Sequence, residues 1–106
     1  MKLTKLLRTV TFCPTFAEIT GSVVAGIFLS YTVYQWRELD PETWIVNTYE
    51  EVQKFTGLNF DEINRARSIL REAGYIAEGK SYGDNHIIPL VWRLNFDLLL
   101  IALQEA

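Results

Sequence analysis

The chain has 106 residues, 49% of them apolar, which is enough for one packed domain over residues 1–106 and too few for two. Thirteen acidic against ten basic side chains leave a formal net charge of −3. That excludes a protein that coats nucleic acid non-specifically, because such binding rests on phosphate neutralisation, but it leaves room for a local basic patch. Cys13 is alone, which excludes an internal disulfide and fits a reducing, cytoplasmic compartment.

Residues 1–13 are basic at Lys2, Lys5 and Arg8 and then β-prone at Val10, Thr11 and Phe12. They predict a short strand or an extended arm, either a frayed terminus or an arm on DNA phosphate. Thr4, Lys5 and Arg8 interrupt the apolar run that a signal peptide would need. Pro14 and Thr15 end this piece. A first helix is predicted from Ser22, or from as early as Thr15, to about Leu39. No charge falls between Glu18 and Arg37, a run of 18 residues at the lower limit for a membrane span. Ser22, Gly26 and Ser30 lie four apart, as small residues do where helices approach closely. Thr20, Ser22, Ser30, Thr32 and Gln35 dilute the run, so it predicts a buried core or interface helix and no membrane.

A helix apolar nearly all round is buried nearly all round, and a domain of this size can hardly surround one so long. A symmetric homodimer is therefore predicted, with Val24, Ile27, Phe28 and Tyr31 at the interface beside Leu99 and Leu103 of a last helix. The competing reading covers the helix within the chain, by the amino-terminal segment and that last helix.

Asp40, Pro41 and Glu42 form a turn, and residues 44–46 a short strand. Thr48 opens a second helix with Glu51 three residues on, a capping box. Tyr49, Val52 and Phe55 point inward. Residues 38–51 hold five acids and no base, so that side faces away from any phosphate. Gly57 closes this helix, and Asn59 with Glu62 opens a third over residues 60–73, with Gly74 as its stop. Ile63, Ala66, Ile69, Leu70 and Ala73 make the inward stripe. Asn64, Arg65, Arg67, Ser68 and Arg71 fall on the outward side. Arginine and asparagine are the side chains that read guanine and adenine edges in a major groove. Asp61, Glu62 and Glu72 offset the three arginines, and an exposed Phe60 suits an apolar contact better than a groove.

Residues 75–76, 86–88 and 90–94 are strand-like around a turn at Ser81–Asn85. Pro89 cannot donate to a ladder, so its strand lies at an edge or breaks there. Lys80, Ser81, Tyr82 and His86 stand at the tip, where Lys80 and Tyr82 would reach DNA. A last apolar helix follows from Asn95 or Asp97 and packs on the first helix, in the same subunit or its partner. Helix, turn, helix and hairpin over residues 48–95 make a winged helix-turn-helix: an α+β, mainly helical fold, here with a long amino-terminal helix and an added carboxy-terminal one. One histidine and one cysteine far apart, no metal-ligand spacing and no phosphate-binding glycine loop predict no catalytic residues, no metal, no cofactor and no enzyme. Asp84, His86 and a serine make a triad only on paper.

Thr48-Tyr49-Glu50-Glu51-Val52, Thr56-Gly57-Leu58 and the run from Ala66 through Leu70-Arg71-Glu72-Ala73-Gly74-Tyr75-Ile76 resemble the winged-helix family of DNA-binding domains. With Gly21-Ser22-Val23 through Trp36, then Trp44 and Trp92-Arg93-Leu94-Asn95, about 80 residues are similar to amino-terminal domains of phage and plasmid replication-initiation proteins. The resemblance implies double-stranded DNA binding in a mobile element, in replication initiation or transcriptional regulation. Members of this fold also serve as protein-interaction modules, so a contact with a replication or transcription protein, without DNA, is the alternative. Phe60-Asp61-Glu62 departs from the polar or basic opening common in the DNA binders.

Overall fold

The computed structural model describes residues 12–37, 39, 43–80 and 89–105. Within them lie five helices and one three-stranded antiparallel sheet, an α+β arrangement that is mostly helical. The basic arm, the turn at 40–42 and the hairpin tip at 81–88 lie outside the described residues.

The predicted first helix is two helices. Helix α1 spans Pro14–Thr20, with proline in its first turn where a missing N–H is harmless. Gly21 takes the left-handed conformation (φ 71°) and closes it, its N–H donating to the Ala17 carbonyl. The Ser22 hydroxyl accepts from Ala25 N–H at 3.3 Å and opens helix α2, Val23–Arg37. The two starting points that the sequence offered, near Thr15 and at Ser22, are thus both used. Helix α2 is buried along most of its length, and the cover comes from its own chain: α1 on one side, then the helix Phe60–Ala73 and the sheet. Val24, Phe28, Tyr31 and Leu99, expected at a subunit interface, are instead closed inside this core, and Ile27 and Leu103 are half-buried against it. Gly26 shows how the small residues are used. It faces Ala17 of α1, and Ser30 accepts from Cys13 N–H at 3.0 Å while donating to the Gly26 carbonyl.

Strand β1, Ile45–Asn47, starts one residue later than predicted. It pairs with β3, Leu90–Leu94, which in turn pairs with β2, Ile76–Glu78, giving the order β1-β3-β2. The strand that follows Pro89 is therefore the central one, not an edge. The proline stands just before the ladder begins, so its missing N–H breaks no pairing. Leu90, Trp92 and Leu94 alternate inward. Trp92 meets Phe28 with ring centroids 5.2 Å apart and donates its indole N–H to Thr32 at 2.9 Å.

Helix α3, Tyr49–Thr56, and helix α4, Phe60–Ala73, are joined by the three residues Gly57–Asn59. Both predicted capping boxes, Thr48 with Glu51 and Asn59 with Glu62, are formed. Ile63, Ala66 and Leu70 are buried and Ile69 is half-buried. Ala73, assigned inward, is exposed, as is Phe55, whose ring lies 6.0 Å from that of Tyr31. Helix α5, Phe96–Glu105, begins where Asn95 accepts from Leu98 N–H. It buries Leu99, touches α1 and stacks Phe96 on Trp36 of α2 at 4.7 Å. Among the described residues no helix is long and apolar enough to cross a membrane.

Candidate functional site

The α3–turn–α4 unit fixes the outward face of α4. Gly57 (φ 76°) ends α3 with its N–H on the Gln53 carbonyl, a conformation that glycine adopts without strain. Leu58 is buried and anchors the turn, and Asn59 starts α4 at once. Ile63, Ala66 and Leu70 then seat α4 on α2 and the core, which leaves Phe60, Asp61, Arg65, Arg71 and Glu72 exposed and Asn64, Arg67 and Ser68 half-buried.

The predicted arginines do not form one uniform surface. Arg67 spans from α4 to β2, its Nε donating to Glu78 at 2.7 Å and a second nitrogen pairing with the same carboxylate oxygen. Its remaining terminal nitrogen donates to the Tyr49 hydroxyl at 2.6 Å and to Asn64 Oδ1 at 2.9 Å. Tyr49 also donates to Asn64 Oδ1. Arg71 donates to the other oxygen of Glu78. One acid from the sheet thus holds two of the three helix arginines, and a tyrosine from α3 completes the network. Arg65 stands apart from it and is exposed.

Of the predicted DNA-contacting residues, α4 brings Asn64, Arg65, Ser68 and Arg71 along one solvent-facing side, while Arg67 is occupied by α3 and β2. Lys80 is exposed just beyond β2, and Tyr82 lies outside the described residues, as do Ser81, Asp84 and His86. The acidic end of α4 is partly committed: Glu62 accepts from Asn59 N–H at 2.9 Å as half of its cap, and Asp61 favours the positive end of the helix dipole. Phe60 is 55% exposed and packs its ring against Tyr49 at 4.7 Å.

Glu78 and Tyr49 are the members of this cluster that sequence reasoning did not assign to the site. A signal for Glu78 was present. Alternate strand residues share a face, so Glu78 lies on the same side as the buried Ile76. An acid on an inward face requires a partner, and α4 offered three arginines.

No family model matches the chain, and neither the curated proteins nor the solved structures compared with it give a match. The site therefore rests on its own geometry. Among the described residues no three His, Cys, Asp or Glu side chains gather as metal ligands. An open cleft of about 620 Å³ is lined by Trp36, Gly74, Ile76, Arg93, Asn95 and Phe96. None of the predicted site residues lines it.

Proposed function

We propose that the chain is a winged-helix protein that binds double-stranded DNA through α4, in replication initiation or transcriptional regulation within a mobile element. One observation carries this reading: a three-residue turn presents a fourteen-residue helix whose outward line is Arg65, Ser68 and Arg71. The reading is supported by the order of elements from α2 to β3 and by the sheet order β1-β3-β2, in which strands follow directly on two helices joined by a tight turn. Arg65 is the principal contact, because it is exposed and outside the Glu78 network. Asn64 uses its amide N–H₂, and Ser68, Arg71 and Lys80 add to the footprint, with Tyr82 as a further contact expected from the sequence. Arg67 serves as a strut rather than a contact.

Binding to duplex DNA should weaken steeply with salt. Arg65→Ala should cost about 1–3 kcal/mol of specific affinity, and Arg67→Ala should act mainly by lowering stability. Selection from random duplex pools tests this. Absence of any salt-sensitive binding in such pools would remove the reading.

A second reading, protein contact without DNA, draws on Phe60. That ring is 55% exposed beside Asp61 at the end of α4 that would enter a groove, and exposed aromatics anchor protein interfaces. Phe60→Ala separates the two: it abolishes capture of a replication or transcription partner under this reading and leaves duplex binding within a factor of a few under the first.

A further inference from the structure

We infer, on the strength of the DNA-binding reading, that Glu78 is a latch on the recognition face, holding Arg67 permanently and Arg71 in reserve for a DNA phosphate. The two arginines share one carboxylate but are held very differently. Arg67 is enclosed, with 23% of its side chain exposed, and reaches three acceptors: Glu78, Tyr49 and Asn64. Four of its five N–H bonds are directed at protein atoms, so little donor capacity is left for a ligand. Arg71 is 51% exposed and, among the described residues, pairs with the second oxygen of Glu78 through one terminal nitrogen. Its other nitrogens remain for solvent or a ligand.

Glu78 itself is 15% exposed. A carboxylate so enclosed is unfavourable without a counter-charge, and two guanidiniums exceed its need. When Arg71 leaves, Arg67 still neutralises it. Release of Arg71 therefore strands no buried charge and gives up only an exposed ion pair, which is weak in water. A phosphate offers the same guanidinium a stronger, charge-assisted and forked contact. The latch keeps Arg71 beside Glu78 in the free protein, on the same outward line as Arg65, until a phosphate displaces the carboxylate. This also accounts for an acid beneath a recognition helix in a chain already net negative.

The test is E78Q in the full chain, titrated with random-sequence duplex at several salt concentrations. The latch requires E78Q to bind roughly two- to five-fold more tightly than wild type, the range that loss of an exposed pair represents, with an unchanged salt slope. R71A should lower that slope by about 0.9, and R71A combined with E78Q should bind no better than R71A alone. Binding by E78Q without any binding by wild type overturns the latch, because phosphate then fails to displace the carboxylate in the native chain. Equal or weaker binding by E78Q, beside intact wild-type binding, overturns the latch and leaves the DNA-binding reading standing. Absence of binding by both removes the two together. Because E78Q also loosens Arg67, the guanidinium NMR signals of the wild-type protein provide an independent reading. On addition of duplex the Arg71 signal should shift and the Arg67 signal should stay. Movement of both, or of neither, counts against the latch.

Discussion

Gly26→Ala should destabilise the protein, although alanine is the better helix former. A Cβ at this position would lie 2.7 Å from the backbone nitrogen of Ala17, 2.8 Å from its Cα and 3.0 Å from its Cβ. These atoms are not the far end of a flexible side chain. Relief requires helix α1 to move as a body, against the burial of Phe16 and the hydrogen bond from Cys13 N–H to Ser30. Overpacking costs about 1–3 kcal/mol, and a clash with backbone belongs at the upper end. Helix propensity returns about 1 kcal/mol. The net loss is about 2 kcal/mol, equivalent to a fall in Tm of roughly 10 °C for a domain of this size. Heat unfolding followed by circular dichroism measures it. Thiol labelling of Cys13, half-buried at the start of α1, reports whether α1 lifts. A variant as stable as wild type, with Cys13 no more reactive, would refute the close α1–α2 packing.

Thr32→Val keeps the shape of a fully buried side chain but leaves the indole N–H of Trp92 without its acceptor; urea unfolding should show a loss of about 1–3 kcal/mol at an unchanged m value. Burial, reinforced by the Glu51 charge and opposed by the hydrogen bond from Asn47, pushes the phenol of Tyr31 up to about 12. Below about pH 10 both folded and unfolded chains keep this proton. From there to the raised value only the unfolded chain releases it, so rising pH favours unfolding by up to about 2–3 kcal/mol. Subtracting the alkaline stability profile of Tyr31→Phe from that of wild type isolates this step, and identical profiles would contradict it. A homodimer, if formed, must use the surface that the core leaves open, such as Leu100 and the 52% exposed Ile101 on α5. Light scattering after size exclusion should then give about twice 12.2 kDa, reduced to one chain by Ile101→Glu without loss of helix; a single-chain mass for wild type across micromolar concentrations removes the proposal. Phe28→Glu cannot serve here, because at 0% exposure it attacks the core itself.

The helix boundaries around the candidate site were legible because they are written in local chemistry. Thr48 with Glu51, Asn59 with Glu62, and the glycines at 57 and 74 satisfy or end backbone hydrogen bonds within a few residues of themselves. The inward residues Ile63, Ala66 and Leu70 follow from the helical period alone. The division at Gly21 was less legible. The apolar run continues across it, and a glycine within such a run fits either a tolerated residue or a stop. Phe55 and Ala73, both on the inward side by helical period, are exposed near the carboxy-terminal ends of α3 and α4, because the period fixes a direction and not how far along a helix its cover extends.

What lies far apart in sequence was settled by the tertiary structure. Composition and period predicted that the apolar run from Val23 to Trp36 is mostly buried, but they carry no information on what does the burying. Once α1 folds back through Gly21 and α4 packs across the other side, the surface expected to need a second subunit is closed by the same chain. The arginines follow the same rule. Helical spacing placed Arg65, Ser68 and Arg71 on one outward line of α4, with Asn64 and Arg67 beside it, and left their protein partners open. Only the approach of β2 and α3 divides them, with Glu78 and Tyr49 taking Arg67 into a network, Arg71 held at its rim and Arg65 left to solvent. Hydrogen bonds within a turn are encoded by neighbours in the chain. A bond between residues eleven or eighteen apart depends on how whole elements pack, and a single sequence does not state that packing.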